Sequence, residues 1–298
     1  MQTMIVVKLI SGLGNQLFQY SFARRISLER NVPLKLDISF YDSQDLRAYK
    51  LDCFNIEAEV ITRQEVNRFL RKDWLWPARK GWNATQRLFP YYKKRFVEEQ
   101  EKFEYDPAMN KMGKNAYIVG YWQHHQYHQR HESTLRKELT LRPSYQQKVG
   151  QLRDEIEANG QSVSLHIRRG DYVTDPYAKG RFGALPMSYY RKAIEQIKQR
   201  TVKPEIYVFS DEIDWAKEHL NVECPTHYVS LDDPDQDVLE LFLMSRCKHN
   251  IMANSTFSWW GAYLNSNPEK IVIAPQRWSN DPHVNSKINI QPPQWKLM

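Results

Sequence analysis

The segment Ser162 to Tyr172, SVSLHIRRGDY, places apolar residues at Val163, Leu165 and Ile167 and then stops at Arg168, Arg169, Gly170 and Asp171. This spacing predicts a strand whose carboxyl end delivers two guanidiniums and a carboxylate into one turn. Guanidinium forks match phosphate oxygens in pairs. Ligands of open α/β sheets sit just beyond the carboxyl ends of strands. The turn therefore suits a negatively charged ligand, most simply a diphosphate; the plain alternative is a strand edge with solvated arginines. Three more apolar runs end on polar residues: Ser210-Asp211-Glu212, Ser230 to Asp233, and Asn254-Ser255-Thr256 ahead of FSWWGAYL. On one edge of a parallel sheet these ends would line one pocket. Asn254-Ser255-Thr256 reads as the start of a helix, where the hydroxyls cap it or the free N–H groups and dipole bind phosphate. Asp211 either caps the helix that follows or accepts hydrogen bonds from a base or ribose.

A second turn, GLGNQLFQY from Gly12 to Tyr20, follows a strand and opens a helix. It is not the dinucleotide fingerprint, because Leu17 stands where the third glycine belongs. Its glycines permit close approach of a ligand, and Asn15 and Gln16 can donate to a sugar or phosphate. The acidic run LDDPDQD, Asp232 to Asp237, lacks the glycine and closing glutamate of a calcium loop, so helix capping explains it more simply. His124, His125, His128 and His131 have near-helical spacing without a distant ligand set, and read as surface or acceptor-groove histidines. No metal site is expected.

The elements that must position these residues follow from periodicity. Strand-like runs at 163–168, 205–210, 227–231, 249–253 and 270–274 alternate with helical patterns at 187–200, 212–219, 236–247 and 257–265, which means βαβ crossovers and a parallel sheet. The N-terminal half begins likewise, with strands at 5–10 and 33–38 around a helix from Asn15 to Glu29. A further strand is expected at 116–122, and a polar helix from Ser144 to Ala158 joins the halves. The expected fold is α/β, two Rossmann-like lobes facing a cleft. The lobes are expected at 1–155 and 156–298, with a tail able to pack back on the first.

The chain has 298 residues and a net charge of +7. From Arg63 to Arg95, ten Lys and Arg stand against Glu65 and Asp73, so this stretch alone holds the excess. It also carries Phe69, Trp74, Trp76, Trp82, Phe89, Tyr91 and Tyr92. Three readings stay open for it: a solvated basic face over a Trp core, an anionic membrane surface, or single-stranded nucleic acid. No run of 18 apolar residues is present and no secretory signal is visible at MQTMIVVKLI. Cys53, Cys224 and Cys247 are odd in number and far apart, as in a reduced, cytoplasmic protein.

Taken in order, GLGNQLFQY, HIRRGDY, FSDE and NSTFSWWGAYL resemble the α-1,2-fucosyltransferases of glycosyltransferase family 11, from about Ile5 to Pro275. The resemblance implies a GT-B-like fold and inverting transfer of L-fucose from GDP-β-L-fucose to O2 of a terminal β-galactoside, without metal or other cofactor. It places Arg168 on the β-phosphate, His166 and Asp211 on guanine or ribose, Ser255 and Thr256 on phosphate, and Asn15 near the fucose. Arg169, Asn254, Phe257 and Gly14 join the expected donor contacts, and Trp122 and Gln123 the acceptor contacts. Inversion wants a base for the acceptor proton, with Asp171 and Asp37 as candidates. The expected partners are GDP-fucose and a galactose-terminated oligosaccharide, lipid-linked where residues 63–95 touch a membrane from the cytoplasmic side; nucleic acid is not among them. The rival readings are another nucleotide-sugar transferase of the same fold and a basic nucleic-acid-binding protein.

Overall fold

The computed structural model describes residues 3–44 and 46–298. Met1 and Gln2, part of the stretch read for a leader, lie outside them. The chain divides into two compact units, Met1–Thr140 and Leu141–Met298. Each is built on its own sheet.

In the N-terminal unit the strands are β1 (Ile5–Lys8), β2 (Leu34–Asp37), β3 (Glu59–Val60), β4 (Phe96–Glu98) and β5 (Ala116–Val119). They run in the order β3-β2-β1-β5-β4, and every pair is parallel. Helix α1 (Leu13–Arg30) joins β1 to β2 and is buried nearly all round, through Leu17, Phe18, Phe22 and Ile26 among others. It ends at Asn31, whose left-handed backbone (φ 51) suits a short polar C-cap. Helix α2 (Arg63–Phe69) starts with a capping box between Thr62 and Glu65. Helix α3 (Trp76–Gln86) opens with Pro77 and buries none of its residues. Helix α4 (Glu132–Glu138) is tied to α1, because Tyr20 Oη donates to Glu138 Oε2 at 2.5 Å and Arg24 pairs with the same carboxylate.

In the C-terminal unit, β6 (Ser162–Ile167) and β7 (Glu205–Ser210) are the buried centre, followed by β8 (Thr226–Tyr228), β9 (His249–Ile251), β10 (Val272–Ala274) and β11 (Lys296–Leu297). The order is β11-β10-β9-β6-β7-β8, again all parallel. Every residue of β6 is buried, as expected of a central strand covered on both faces. Helix α9 (Met187–Lys198) packs on it with Tyr189, Tyr190, Ala193, Ile194 and Ile197, one face at helical spacing. The remaining helices are α5 (Pro143–Lys148), α6 (Gly150–Ala158), α7 (Gly170–Thr174), α8 (Pro176–Arg181), α10 (Ile213–His219), α11 (Gln236–Arg246), α12 (Thr256–Leu264) and α13 (Pro282–Lys287).

Two details differ from the sequence reading. The expected helix from Ser144 to Ala158 is two helices with a break at Val149. Both pack on α11, so the division falls at Thr140/Leu141 rather than at 155/156. The C-terminal tail adds to its own unit as the edge strand β11 beside β10, a strand the sequence did not show.

Candidate active site

The carboxyl ends of β6 and β7 meet around one guanidinium. Arg168 Nη1 lies 2.9 Å from Asp211 Oδ2, and its Nη2 donates to Asp171 Oδ1 at 2.5 Å. Burial works against the charge on Arg168, and the two carboxylates more than offset it, so the pKa stands above the ordinary arginine value. Asp211 also accepts the Arg169 backbone N–H at 2.9 Å. Burial pushes its carboxyl above the usual carboxylate range, and Arg168 and that N–H offset this only in part. Asp211 does not cap α10, whose N-cap is Glu212. It holds Arg168.

Gly170 makes this approach feasible. A Cβ there would come within 2.5 Å of Asp211 Oδ2. Arg169 turns the other way: its Nε donates to Glu212 Oε2 at 2.8 Å, and its guanidinium lies 3.6 Å over the Trp215 ring. The sequence reading missed Trp215, although its place in the first turn after FSDE was a signal. It also left Gly170 as a plain turn residue.

His166 stands at the end of β6, buried, with Nδ1 3.0 Å from Ser258 Oγ. Burial, and next the charge of Arg168, hold its pKa down to about 3, so it is a neutral imidazole. Phe257 tilts against it at 5.2 Å. Ser255 caps α12, its Oγ accepting the Phe257 N–H at 3.2 Å, and Thr256 opens the helix. The free N–H groups and dipole of this helix start can receive a phosphate. Asn254 is fully buried, its Nδ2 donating to the carbonyls of Gly183 at 3.0 Å and Trp278 at 3.3 Å, which joins two loops, while its Oδ1 has no hydrogen-bond partner. Glu240 on α11, not singled out from the sequence, is a buried carboxyl that accepts from Gln236 Nε2 at 2.7 Å. Burial first, then Asp237 and Asp211, raise its pKa to about 7.

In the N-terminal unit, Gly14 is buried in the first turn of α1. Asn15 Nδ2 donates to Ser11 Oγ at 2.9 Å, and Asn15 Oδ1 accepts from Gln123 Nε2 at 2.6 Å. Asn15, expected near the fucose, and Gln123, expected at the acceptor, are therefore brought together beyond the ends of β1 and β5. Gln16 serves the turn instead, donating to Ala48 O and accepting from Lys50 N. Trp122 is a correction: it is 1% exposed and stacked on Phe22 at 4.0 Å, so it belongs to the core. A left-handed backbone at Trp122 (φ 58) turns the ring inward, and Glu99 accepts the N–H groups of Tyr121 and Trp122 at 2.7 and 2.9 Å. His124, His125 and His128 are buried as well, where a surface or groove position was expected. Asp37 is buried, with Oδ1 accepting Ser39 N–H at 2.9 Å and Oδ2 accepting Tyr117 Oη at 2.5 Å. Both oxygens accept a hydrogen bond inside the unit.

Comparison with known proteins gives the same picture from outside. The chain is 34% identical to the O-antigen biosynthesis glycosyltransferase WbnK of Escherichia coli, over 91% of this chain and 93% of that one. It is also 34% identical to an alpha-1,2-colitosyltransferase of Escherichia coli, over 95% of each. Human galactoside alpha-(1,2)-fucosyltransferase 1 is 33% identical over 44% of this chain and 38% of that one. Among solved structures, the fucosyltransferase NodZ from Bradyrhizobium superposes with a TM-score of 0.54 at 14% identity, over 88% of this chain and 92% of that one. That likeness carries the GT-B-like α/β fold. Residues 4–298 match the family described as Glycosyl transferase family 11. The chain is a glycosyltransferase and belongs to family 11.

Proposed function

We propose that the protein transfers L-fucose from GDP-β-L-fucose to O2 of a terminal β-galactoside, with inversion and without a metal ion. The observation that carries this is Arg168, a charged guanidinium held at the carboxyl edge of the sheet by Asp211 and Asp171. In the reaction the acceptor O2 attacks C1 of the fucose, the C1–O bond breaks, and its electron pair goes to the β-phosphate of leaving GDP. Arg168 and the N–H groups that open α12 stabilise that growing negative charge. Asp171 takes the acceptor proton; its side chain is 37% exposed, whereas Asp37 is buried. The names of the human and Escherichia coli relatives support a galactoside acceptor and an α-1,2 linkage.

The deciding experiment is calorimetric binding of GDP with EDTA present, compared with UDP, followed by turnover of Arg168→Ala. We expect GDP to bind and UDP to bind weakly. Loss of Arg168 should cost about 2–4 kcal/mol in kcat/KM. A variant within a few-fold of the parent would remove the assignment.

Two finer choices belong to this reading. The 34% identity to a colitosyltransferase favours, as a second donor, the sugar without its 3-hydroxyl; rates with fucosyl and colitosyl donors side by side choose between them. A peripheral membrane contact is favoured by the exposed apolar residues Leu75 (82%), Trp76 (63%) and Leu88 (84%), set among the basic residues of 63–95. Such a surface suits anionic lipid, and fits a lipid-linked acceptor met on the cytoplasmic side. Failure to co-sediment with anionic vesicles at low salt would remove the contact, and salt-steep binding to single-stranded RNA would assign the patch to nucleic acid instead.

A further inference from the structure

A cavity of about 320 Å³ opens beside the edge strand β4 of the N-terminal unit, separate from the Asn15–Gln123 turn. Three aromatic residues line it: Trp82, Tyr91 and Phe96. Each has a partner that fixes it. The Arg71 guanidinium stands 5.0 Å over Trp82, the Tyr91 hydroxyl donates to Asp106, and Phe96 stacks on Tyr117 at 5.8 Å. The rest of the lining is polar: Asn83, Gln86, Lys94, Glu98 and Gln100. Gln86 Oε1 accepts the Arg95 N–H at 2.9 Å, which sets the amide and leaves its NH2 to donate elsewhere.

This lining discriminates between ligand classes. A phosphate would meet one ammonium, Lys94, opposed by the carboxylate of Glu98. An acyl chain would gain little from a wall in which five of the eight side chains are polar, two of them charged. A pyranose ring satisfies both kinds of wall, laying its C–H face on an aromatic ring while its hydroxyls donate to a carboxylate and pair with amides. The volume, at the small end of ligand sites, holds about one or two such rings. Strand β4, which supplies Phe96 and Glu98 to the lining, is paired with β5, the strand that leads to Gln123.

We infer that this cavity is a subsite for acceptor sugars that precede the terminal galactose. The inference rests on the galactoside reading above and deepens it, making Trp82 and Gln86 determinants of acceptor length. The test compares methyl β-galactoside with a tetrasaccharide ending in β-galactose. Trp82→Ala should lower kcat/KM for the tetrasaccharide at least about 10-fold and change that for the methyl galactoside less than about 2-fold, with GDP affinity unchanged. Gln86→Leu, a milder change, should act in the same direction. Equal losses on both acceptors, or none on either, overturn the subsite. Saturation-transfer NMR of the parent with the tetrasaccharide's inner trisaccharide reads it without turnover. Contact that Gln86→Leu weakens supports it, and no contact overturns it. A parent that neither binds GDP nor transfers fucose would instead sink the donor reading, leaving the NMR result to decide the subsite alone.

Discussion

Gly170→Ala is a small change with a large expected consequence. An added Cβ would meet Asp211 Oδ2 at 2.5 Å, and ordinary contact needs about 0.9 Å more. The carboxylate has little freedom to yield, because it is fixed by Arg168 Nη1 and by the Arg169 N–H, both at 2.9 Å. Two opposed effects follow. Alanine is worth up to about 1 kcal/mol over glycine at a helical position, and Gly170 is the first residue of α7. Displacing Asp211 weakens charge-assisted hydrogen bonds worth about 1.5–3 kcal/mol. The second effect wins, so we expect a net loss of about 1–2 kcal/mol in urea unfolding and at least about a 10-fold loss in GDP affinity. A double-mutant cycle isolates the cause. With Asp211→Ala already in place the clash is gone, and Gly170→Ala should be neutral or stabilising. If Gly170→Ala costs the same in both backgrounds, the contact with Asp211 is not what the glycine is for.

Three further outcomes follow from buried or paired groups. Glu240 has its pKa raised to about 7 from 4.5, so the folded state holds a proton that the unfolded chain releases; stability should fall as pH rises from about 4.5 through 7. Glu240→Gln should flatten that fall, which totals about 3 kcal/mol at most, as read from urea midpoints across pH. His128 is buried, and burial with the nearby Arg25 charge lowers its pKa to about 3. The unfolded chain therefore takes up a proton below pH 6.5 that the folded one refuses, and stability should drop on acidification from 6.5 toward 3, a slope that His128→Asn should reduce. Asp171→Asn should move two constants in opposite directions: GDP binds about 2- to 5-fold tighter once a competitor for Arg168 is gone, while kcat falls about 100-fold or more for want of a base. A parallel fall in both would make Asp171 a positioning residue alone.

Much of the frame was legible in the sequence, and the limits of that legibility have a physical pattern. Strands β6 and β7 read clearly because central parallel strands are apolar on both faces. Strands β3, β4 and β11 did not, since two or three residues at a sheet edge, such as Glu59–Val60, carry no periodicity. The convergence of Arg168, Asp211 and Ser255 was readable because strand ends of one parallel sheet share an edge. What spacing cannot give is the direction in which a side chain turns there. Trp122 follows a strand end as Arg168 does, yet a left-handed backbone folds it into the core. Asn254 shares its loop with Ser255, yet its Nδ2 turns to the carbonyls of Gly183 and Trp278.

The same limit applies to the acids around Arg168, and here the structure changes the chemistry expected of them. Read from sequence, Asp211 was a ligand contact and Asp171 a base. In the folded unit both first serve as counter-ions that keep a half-buried guanidinium charged. A diphosphate arriving at Arg168 brings more negative charge to a cation already shared by two carboxylates, so one of them must give way. Asp211 is the less able, anchored by the Arg169 N–H and crowded by Gly170. Asp171 is the more exposed of the two, 37% against 24%, and lies on the first turn of α7 rather than at the end of a central strand. On the proposed reading, donor binding would release the carboxylate that the acceptor proton needs, and only when the leaving group is in place. That ordering links the ground-state ion pair to the proposed base, and it is why the two constants of Asp171→Asn should part.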